Sequence, residues 1–268
     1  MKITDQLGNS FSLSAPPKKI ISIVPSQTEL LFDLGLNTEI VGVTKYCIHP
    51  TVQISNLHCS IVGGTKKINI EKIKKINPDI IIGNKEENEK EQILKLMKTY
   101  PVWMSDIKTL EDALEMIVSI GKITGKKNKA LKIQNDIRER FSHFRFVTFP
   151  ATNNSVAYLI WKNPYICAGK NTFIDHLLHI CGLQNVFTSK IYRYPKITAA
   201  EIFRANPSFI FLSSEPYPFC EKHIREFQHI CPNSKIILVD GKMFSWFGSH
   251  LLYAPSYFEQ LLIRIQEA

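Results

Sequence analysis

The fold is decided by a stretch that occurs twice in the chain, as IKKINPDIII at Ile73–Ile82 and as IFRANPSFIF at Ile202–Phe211. In each copy a short helical segment runs into an Asn-Pro step, and an apolar strand follows. Because proline cannot continue a helix and disfavours the α conformation at the residue before it, this step predicts the end of the helix and the start of the strand. The repetition predicts two lobes of similar build.

Strands alternate with helices around the first copy. The pattern predicts strands at 19–24, 39–43, 79–83 and 102–105, with helices at 27–34, 70–76 and 87–98 between them. Such alternation is typical of a parallel sheet with right-handed crossovers. Ser26 and Glu29 have the spacing of a capping box, which predicts that the first helix begins just after Ser26.

From Thr109 onward the apolar residues recur at helical spacing, with an interruption at Gly125. The second of these two helices, at 127–145, is long enough to cross the face of a small domain. A strand at 156–160 then opens another α/β region. We therefore predict an N-terminal α/β lobe at 1–106, a helical connector at 107–150 and a C-terminal α/β lobe at 151–268.

The composition indicates a globular chain with a sizeable core, since 44% of its 268 residues are hydrophobic. Lysine and arginine outnumber aspartate and glutamate by 33 to 24, but the lysines are scattered along the chain, so no nucleic-acid partner is expected. No apolar run approaches the roughly 18 to 20 residues of a membrane helix. The polar start, Met1–Asn9, predicts either that an export signal has been removed or that the protein stays inside the cell. We expect a monomer.

The six cysteines form no C-x-x-C pair, and a chain of this size does not need disulfides to fold. We expect free and mostly buried thiols. If oxidation occurred, Cys47 with Cys59 and Cys220 with Cys231 would be the pairs to test.

An ordered set of short motifs resembles a known family. The set consists of IISIVPSQTEL at Ile20–Leu30, VGV at Val41–Val43, VGG at Val62–Gly64, NIE at Asn69–Glu71 and NPD at Asn77–Asp79. It resembles the helical-backbone (class III) substrate-binding proteins of ABC importers, and its motif residues are most similar to those of the cobalamin-binding members. The resemblance implies an α/β fold of two Rossmann-like lobes with central parallel sheets, joined by a long rigid helix, with the ligand in a cleft between the lobes.

The resemblance also implies which residues line that cleft. In the first lobe they are Pro25, Ser26, Gln27 and Tyr46, together with Thr65, Lys66, Asn84, Lys85 and Glu86, where Thr65 and Asn84 replace tryptophans of the cobalamin-binding member. In the second lobe they are Trp161, Pro164, Tyr194, Trp246, Phe247 and His250. Most of these residues follow predicted strands, and ligands of parallel α/β sheets bind beyond the carboxyl ends of the strands. The alternative for the Trp246 segment is a cluster that packs under its own loop.

Charged residues near these positions suggest polar contacts. Arg193 could pair with a ligand carboxylate or phosphate, and Glu215 could meet a ligand amine or a metal, although each could equally be a surface residue in a turn. The family docks its transporter through one surface carboxylate per lobe. Glu71 stands at the matching position of the first lobe, whereas the second lobe has Ala200 there and Glu201 one residue later.

A metal site is a weaker hypothesis. Cys47 and His49 lie in one irregular loop, but a zinc motif needs two such pairs that converge, and a histidine without metal is the alternative. The chain also has no G-x-S-x-G elbow, Walker A pattern or G-x-G-x-x-G turn, so no enzyme activity is expected.

These observations predict a receptor of the ABC-importer type that captures a cobalamin or other corrinoid, a haem or an iron-siderophore-like compound. No intrinsic cofactor is expected, an ABC permease is the expected partner, and the resemblance implies a periplasmic or cell-envelope location. An intracellular corrinoid- or metal-handling protein or enzyme on the same scaffold is the alternative, favoured by the free thiols and the polar start. A metal-binding module is a third interpretation.

Overall fold

The computed structural model describes residues 1–49, 59–144 and 154–267. The chain divides into two compact units. The first unit comprises Met1–Ile107, Glu111–Glu139 and Phe247–Leu252, and the second comprises Lys108–Leu110, Arg140–Trp246 and Tyr253–Ala268. A short piece from the C-terminal part of the chain therefore belongs to the first unit. The lobe and connector boundaries drawn from the sequence stay a prediction.

The first unit is built on a parallel sheet. A small antiparallel hairpin comes first, and a five-stranded sheet in the order β5-β4-β3-β6-β7 follows, with helices in the connections. The bounds are β1 Lys2–Thr4, β2 Ser10–Ser12, β3 Ile20–Ser22, α1 Pro25–Asp33, β4 Ile40–Val43, β5 Ser60–Ile61, α2 Ile70–Ile76, β6 Ile80–Asn84, α3 Lys90–Met97, β7 Val102–Ser105, α4 Leu110–Ile123 and α5 Lys127–His143.

The core of the first unit explains why its strands read as continuous apolar runs. Strands β3 and β6 lie in the middle of the sheet and are buried on both faces, so their positions take apolar or small residues, except for Asn84 at the end of β6. Ile21, Ile81 and Val102 pack with Leu96 of α3 in one core cluster. Burial of each such side chain contributes about 1.5–3 kcal/mol.

The second unit is built on a mixed sheet in the order β11-β9-β8-β12-β13, with β10 also paired to β8. Strands β8, β12 and β13 run parallel, while β9 is antiparallel to both β8 and β11. The bounds are β8 Ser155–Trp161, β9 Tyr165–Cys167, α6 Phe173–Ile180, β10 Gln184–Asn185, β11 Lys196–Ile197, α7 Ala199–Ala205, β12 Phe209–Ser213, α8 Glu221–Ile230, β13 Lys235–Val239, α9 Gly241–Ser245 and α10 Ala254–Glu267. A 3-10 helix at Ser249–Leu252, between α9 and α10 in the chain, belongs to the first unit.

The two Asn-Pro repeats form the same local structure. Helices α2 and α7 each end at an asparagine in the left-handed conformation, Asn77 with φ of 50° and Asn206 with φ of 39°. Asparagine tolerates this conformation better than most residues, and the following proline cannot continue the helix. Each helix is also capped at its start by a side chain, Asn69 in the first copy and Thr198 in the second.

Helices α4 and α5 pack closely where Gly121 meets Ala130. A methyl group on Gly121 would lie well inside van der Waals contact of the Ala130 side chain. Gly125 lies between the helices with φ of 73°, a conformation that glycine adopts without strain. Glycine at 121 therefore sets how near the two helices lie to each other.

The structure differs from the sequence-based prediction at the start of α1. The predicted capping box of Ser26 and Glu29 is wrong, because the N-cap residue is Val24, without a side-chain cap, and Pro25 occupies the first turn. Proline suits this position since its missing N–H would have no helical partner there. The parallel α/β character and the two-lobed repeat are confirmed.

Among the residues that the structure describes, no helix is both long and apolar enough to cross a membrane. All six cysteines are free thiols: Cys47, Cys167, Cys181 and Cys231 are buried, Cys59 is half-buried and Cys220 is exposed.

Candidate functional site

In the first unit, the candidate residues at the start of α1 lie at the carboxyl end of β3. Pro25 is half-buried, and the side chains of Ser26 and Gln27 are buried. Gln27 Nε2 donates to Ser105 Oγ at 2.7 Å and to the Gly83 carbonyl at 3.3 Å. The Gln27 side chain therefore links the carboxyl ends of β3, β6 and β7.

Asn84 is the centre of a second group of amide contacts at the same edge. Its Nδ2 donates to Ser105 Oγ at 2.9 Å, and its Oδ1 accepts from the backbone N–H groups of Glu86 and Glu87 at 2.8 and 3.2 Å. Its own backbone N–H donates to Asn88 Oδ1 at 2.8 Å. Because a buried amide without partners is costly, these contacts account for a polar residue at a buried strand end.

Asn88 and Ser105 were not identified from the sequence, yet they complete this network. Asn88 Nδ2 donates to the Ile23 carbonyl at 3.2 Å and to the Thr65 carbonyl at 3.1 Å. Asn88 thereby holds the loop that carries Thr65 against the end of β3. The available signal was a polar residue a few positions beyond a buried strand, which is also common in ordinary turns.

The remaining first-unit candidates lie nearer the surface. Tyr46 is 53% exposed, and Lys45 Nζ lies 5.0 Å from the centre of its ring. Lys66 Nζ donates to the Glu86 carbonyl, and Lys85 forms an ion pair with Asp106 at 2.9 Å. Thr65 is nearly buried. Tyr46 therefore presents the largest accessible apolar surface among the first-unit candidates.

His250 and Phe247 belong to the first unit although they come late in the chain. His250 Nδ1 lies 3.1 Å from Glu29 Oε2 on α1, and the Phe247 ring is buried. Gly248 lets this segment approach α1, because a Cβ there would lie 2.9 Å from the Ser26 carbonyl. Burial raises the pKa of Asp33, one helical turn beyond Glu29, with Ser249 hydrogen bonding and nearby cations opposing the rise.

In the second unit, Trp246 and Glu215 are in direct contact. Trp246 Nε1 donates to Glu215 Oε1 at 2.7 Å, and the Ser245 hydroxyl donates to the same oxygen at 3.1 Å. Burial raises the pKa of Glu215, and these two hydrogen bonds oppose the rise. The Trp246 ring is only 7% exposed, with Lys242 Nζ 5.4 Å from its centre.

This contact depends on glycine at position 241. Gly241 starts α9, and a Cβ there would lie 2.7 Å from Glu215 Cγ and even closer to Ser213 Oγ. The Gly241 N–H donates to Ser214 Oγ at 3.0 Å. The first turn of α9 can therefore approach the Ser213–Glu215 turn closely enough to place Trp246 over the carboxylate.

Trp161 ends β8 and is 40% exposed. Its ring meets Tyr217 edge to face, with centroids 5.7 Å apart. Pro164 is exposed in the turn that follows. Tyr217 was not predicted as a site residue from the sequence, because a tyrosine between two prolines is typical of an ordinary loop.

Arg193 and Tyr194 lie in the segment before β11 and are half-buried. The Gly169 N–H donates to the Arg193 carbonyl at 2.7 Å, so the backbone of this segment is held against the end of β9. The structure thus brings Trp246 and Glu215 together and places Trp161 with Tyr217.

For the metal hypothesis, Cys47 is buried, and its Sγ lies 3.1 Å from Thr28 Oγ1 and 3.2 Å from Thr44 Oγ1. Burial raises the pKa of this thiol, although the threonine hydrogen bonds oppose the rise, so Cys47 holds its proton. Within residues 1–49, 59–144 and 154–267, no three His, Cys, Asp or Glu side chains are grouped to hold a metal ion. The pair of Cys47 and His49 gains no further ligand there.

The two candidate docking carboxylates have different surroundings. Glu71 on α2 is 75% exposed and pairs with Lys74 at 2.8 Å. Glu201 Oε2 on α7 accepts from the Thr198 N–H and hydroxyl in a capping box, and its Oε1 pairs with Lys190 at 2.5 Å. The Lys190 hydrogen bond, aided by Thr198, lowers the pKa of Glu201 to about 2. Ala200 is exposed beside it.

We expect Glu201→Gln to lower the stability of the second unit in a pH-dependent way. Because the pKa of Glu201 falls from 4.5 to about 2 on folding, its ionised form stabilises the folded state above about pH 4.5. That stability is lost as the pH falls through about 2. The difference in urea midpoint between the wild type and Glu201→Gln, followed by circular dichroism, should therefore be full above pH 4.5 and vanish near pH 2.

The matched control for this experiment is Glu71→Gln on the equivalent helix, where the carboxylate is exposed and does not cap the helix. It should change the midpoint less, since exposed ion pairs contribute little. A pH-independent difference for Glu201→Gln would contradict the assigned role of its charge.

Comparison with protein families matches residues 20–228 to the model described as periplasmic binding protein. Among curated proteins, the chain is 27% identical over 201 residues to the vitamin B12-binding protein of Vibrio cholerae serotype O1, covering 74% of this chain and 71% of the relative. It is 24% identical over 255 residues to the vitamin B12-binding protein of Photorhabdus laumondii, covering 94% and 90% of the two chains.

Solved structures share the fold. The periplasmic vitamin B12-binding protein BtuF of Vibrio cholerae superposes with a TM-score of 0.75 at 20% identity, covering 94% of this chain and 99% of that one. The periplasmic heme-binding protein RhuT from Roseiflexus sp. RS-1 superposes with a TM-score of 0.77 at 17% identity, covering 93% and 98%.

Proposed function

The chain belongs to the periplasmic binding protein family, and from that membership we propose that it is the substrate-binding receptor of an ABC importer for a corrinoid, a haem or a ferric siderophore. A corrinoid is the first candidate, because the curated relatives are named vitamin B12-binding proteins. Haem follows, because structures of this fold include heme-binding proteins. The relatives are named for binding, and we propose binding without catalysis.

The observation that carries the proposal is the set of aromatic and polar side chains at strand ends in the second unit. Trp161 ends β8, and the segment after β13 carries Trp246 in contact with Glu215. A large, flat, partly apolar ligand is held by aromatic burial together with a few fixed polar groups. Trp161 supplies accessible ring surface, and Glu215 supplies an oriented acceptor that a ligand amide or amine could share.

The first unit would contact the ligand through residues other than the tryptophans that the resemblance implies. Thr65 and Asn84 stand where the resemblance implies tryptophans, and both are buried with internal hydrogen bonds nearby. Tyr46 is the accessible ring, with Lys45 Nζ 5.0 Å from its centre, and the side chains of Lys66 and Lys85 are also exposed. We therefore propose that ligand contacts there come from Tyr46 and from cationic side chains, which favours a ligand with anionic groups. The interlobe location of the ligand stays a prediction from the resemblance.

The partner and compartment follow from the same proposal. A permease of the importer would contact the Glu71 surface, and Glu201 could take part only if its bonds to Thr198 and Lys190 were exchanged for new ones. The proposed location is the periplasm or the cell envelope, as for the relatives.

The proposal is tested by titrating the purified protein with cyanocobalamin, haemin and a ferric catecholate siderophore, each followed by tryptophan fluorescence and visible absorption. We expect one class to saturate at one ligand per chain, and Trp161→Ala to weaken its binding. Phe203→Ala, which truncates an exposed ring on α7, is the matched control and should bind normally. If none of the three classes saturates, the proposed function is wrong.

A further inference from the structure

Two adjacent apolar side chains in the second unit lie almost entirely outside the protein. Ile191 is 95% exposed and Tyr192 is 75% exposed, in the segment that leads into β11. In the part of the chain that the structure describes, they are the two most exposed large apolar side chains. Single exposed apolar residues are ordinary, but an adjacent pair this exposed is a candidate for contact with another surface.

The chain is held in place on both sides of this pair. Lys190, immediately before it, forms an ion pair at 2.5 Å with Glu201 in the first turn of α7. On the other side, the Gly169 N–H donates to the Arg193 carbonyl at 2.7 Å. Glycine permits this approach, because a Cβ at position 169 would lie 3.0 Å from the Tyr192 carbonyl. The two apolar side chains therefore stand on a bend that is anchored at both ends.

The surroundings of the pair are cationic. The segment 190–204 contains four basic residues and one carboxylate, Glu201, which the ion pair described above neutralises. Lys196 in β11 and Arg204 on α7 are exposed, and so is Lys170, which follows the glycine that contacts this segment. Arg204 lies three residues after Glu201 and therefore on the same side of α7. Together with the apolar pair, these three exposed cations form a basic apolar surface.

An anionic lipid bilayer matches the chemistry of the basic apolar surface. Isoleucine gains from leaving water, and tyrosine favours the boundary between headgroups and acyl chains because its ring is apolar and its hydroxyl is polar. Lysine and arginine beside them are attracted to anionic headgroups. Side chains that are 95% and 75% exposed line no groove, so they suit insertion into a fluid layer better than enclosure of a protein segment.

We propose that the basic apolar surface binds reversibly to the surface of an anionic lipid bilayer. Ile191 and Tyr192 enter the headgroup region, and Lys170, Lys196 and Arg204 contact the lipid phosphates. Because only two apolar side chains insert, the association is weak and depends on the attraction between the cations and the lipid. This inference goes beyond the proposed function and requires no bound ligand, so its test is separate from the ligand titration.

The test is cosedimentation of the full-length protein with vesicles made of equal parts phosphatidylcholine and phosphatidylglycerol, at low salt. We expect binding that falls at least about tenfold on vesicles of phosphatidylcholine alone, and also at high salt, because salt screens exposed charges. The double variant Ile191→Ser with Tyr192→Ser should bind about tenfold more weakly than the wild type, and so should Lys196→Glu. Equal binding to both kinds of vesicle, or binding to neither, would overturn the proposal.

The matched control is Ile263→Ser. Ile263 is 50% exposed on α10, and α10 contacts β13, where Lys235 Nζ donates to the Ile265 carbonyl at 3.3 Å. Strand β13 lies at the opposite edge of the sheet from β11. This variant should bind the vesicles as the wild type does, and a loss equal to that of the double serine variant would overturn the proposal. If the double serine variant binds as tightly as the wild type, the net positive charge of the chain alone causes the association and the proposal is wrong.

Insertion is measured separately with Tyr192→Trp and phospholipids that carry bromine on their acyl chains, in the same anionic mixture. The wild type, which has three tryptophans of its own, gives the background. We expect the fluorescence that the substitution adds to be quenched by the brominated lipid. Equal fractional quenching of the variant and the wild type would place residue 192 outside the bilayer and refute the insertion. This measurement decides the question even if the serine variants do not fold.

Discussion

Replacing Trp246 with alanine is expected to weaken ligand binding at least tenfold, or about 1.4 kcal/mol. The change removes a ring that is held over Glu215 and takes away the indole N–H that donates to the carboxylate at 2.7 Å. The affinity of the wild type and of the variant for the ligand that saturates the protein is measured by fluorescence or absorption titration.

Two further variants separate the contributions to this effect. Trp246→Phe keeps most of the apolar surface but loses the hydrogen bond, so it should lose less affinity than the alanine variant. Phe203→Ala removes an aromatic ring that is 61% exposed on α7, and this variant should bind the ligand as the wild type does. A folded Trp246→Ala protein with unchanged affinity would remove Trp246 from the binding site.

Gly121→Ala is expected to lower the free energy of unfolding by about 1–3 kcal/mol, as overpacking in a tight interface does. In an exposed helix the same substitution would stabilise by up to about 1 kcal/mol, because alanine is the better helix former. Here the added methyl group would collide with the Ala130 side chain on α5. The sign of the effect therefore depends on this contact, and urea denaturation followed by circular dichroism measures it.

The second step is a double-mutant cycle with Ala130→Gly. This change alone should cost about 1 kcal/mol in helix propensity, but it removes the methyl group that Gly121→Ala meets. We expect the double mutant to be more stable than the sum of the two single effects predicts. Additive effects, or a Gly121→Ala protein as stable as the wild type, would show that the helices adjust at no cost.

The regular elements could be predicted from the sequence because their signals are local. Helix α2 at Ile70–Ile76 and strand β7 at Val102–Ser105 have the predicted bounds, since apolar spacing and a neighbouring proline define both. The N-terminal hairpin β1–β2 was missed because its strands have three residues each. Strands β10 and β11 were missed for a similar reason: two residues carry no periodicity, and their pairing depends on β8 and β9.

The surroundings of the candidate residues were less predictable. The sequence places Asn84 at the end of a strand but does not show that Ser105 accepts from its side-chain amide or that Asn88 accepts from its backbone N–H, because these contacts join residues up to 21 positions apart. Likewise, Trp246 was expected either to line the cleft or to pack under its own loop, and the sequence did not show that the short helix α9 would bring its indole N–H to Glu215. Position along the chain identifies strand ends, and long-range packing decides which side chains remain accessible.

The assignment of Phe247–Leu252 to the first unit has a consequence for dissecting the protein. A gene fragment that stops at the end of α5 would encode a first unit that lacks six of its own residues, including the buried Phe247 and Leu251. Helix α1 would then expose the apolar surface that these residues cover, and the fragment would tend to aggregate. Supplying the missing segment as a separate peptide, or grafting it behind α5 through a short linker, is the rational way to obtain this half in isolation.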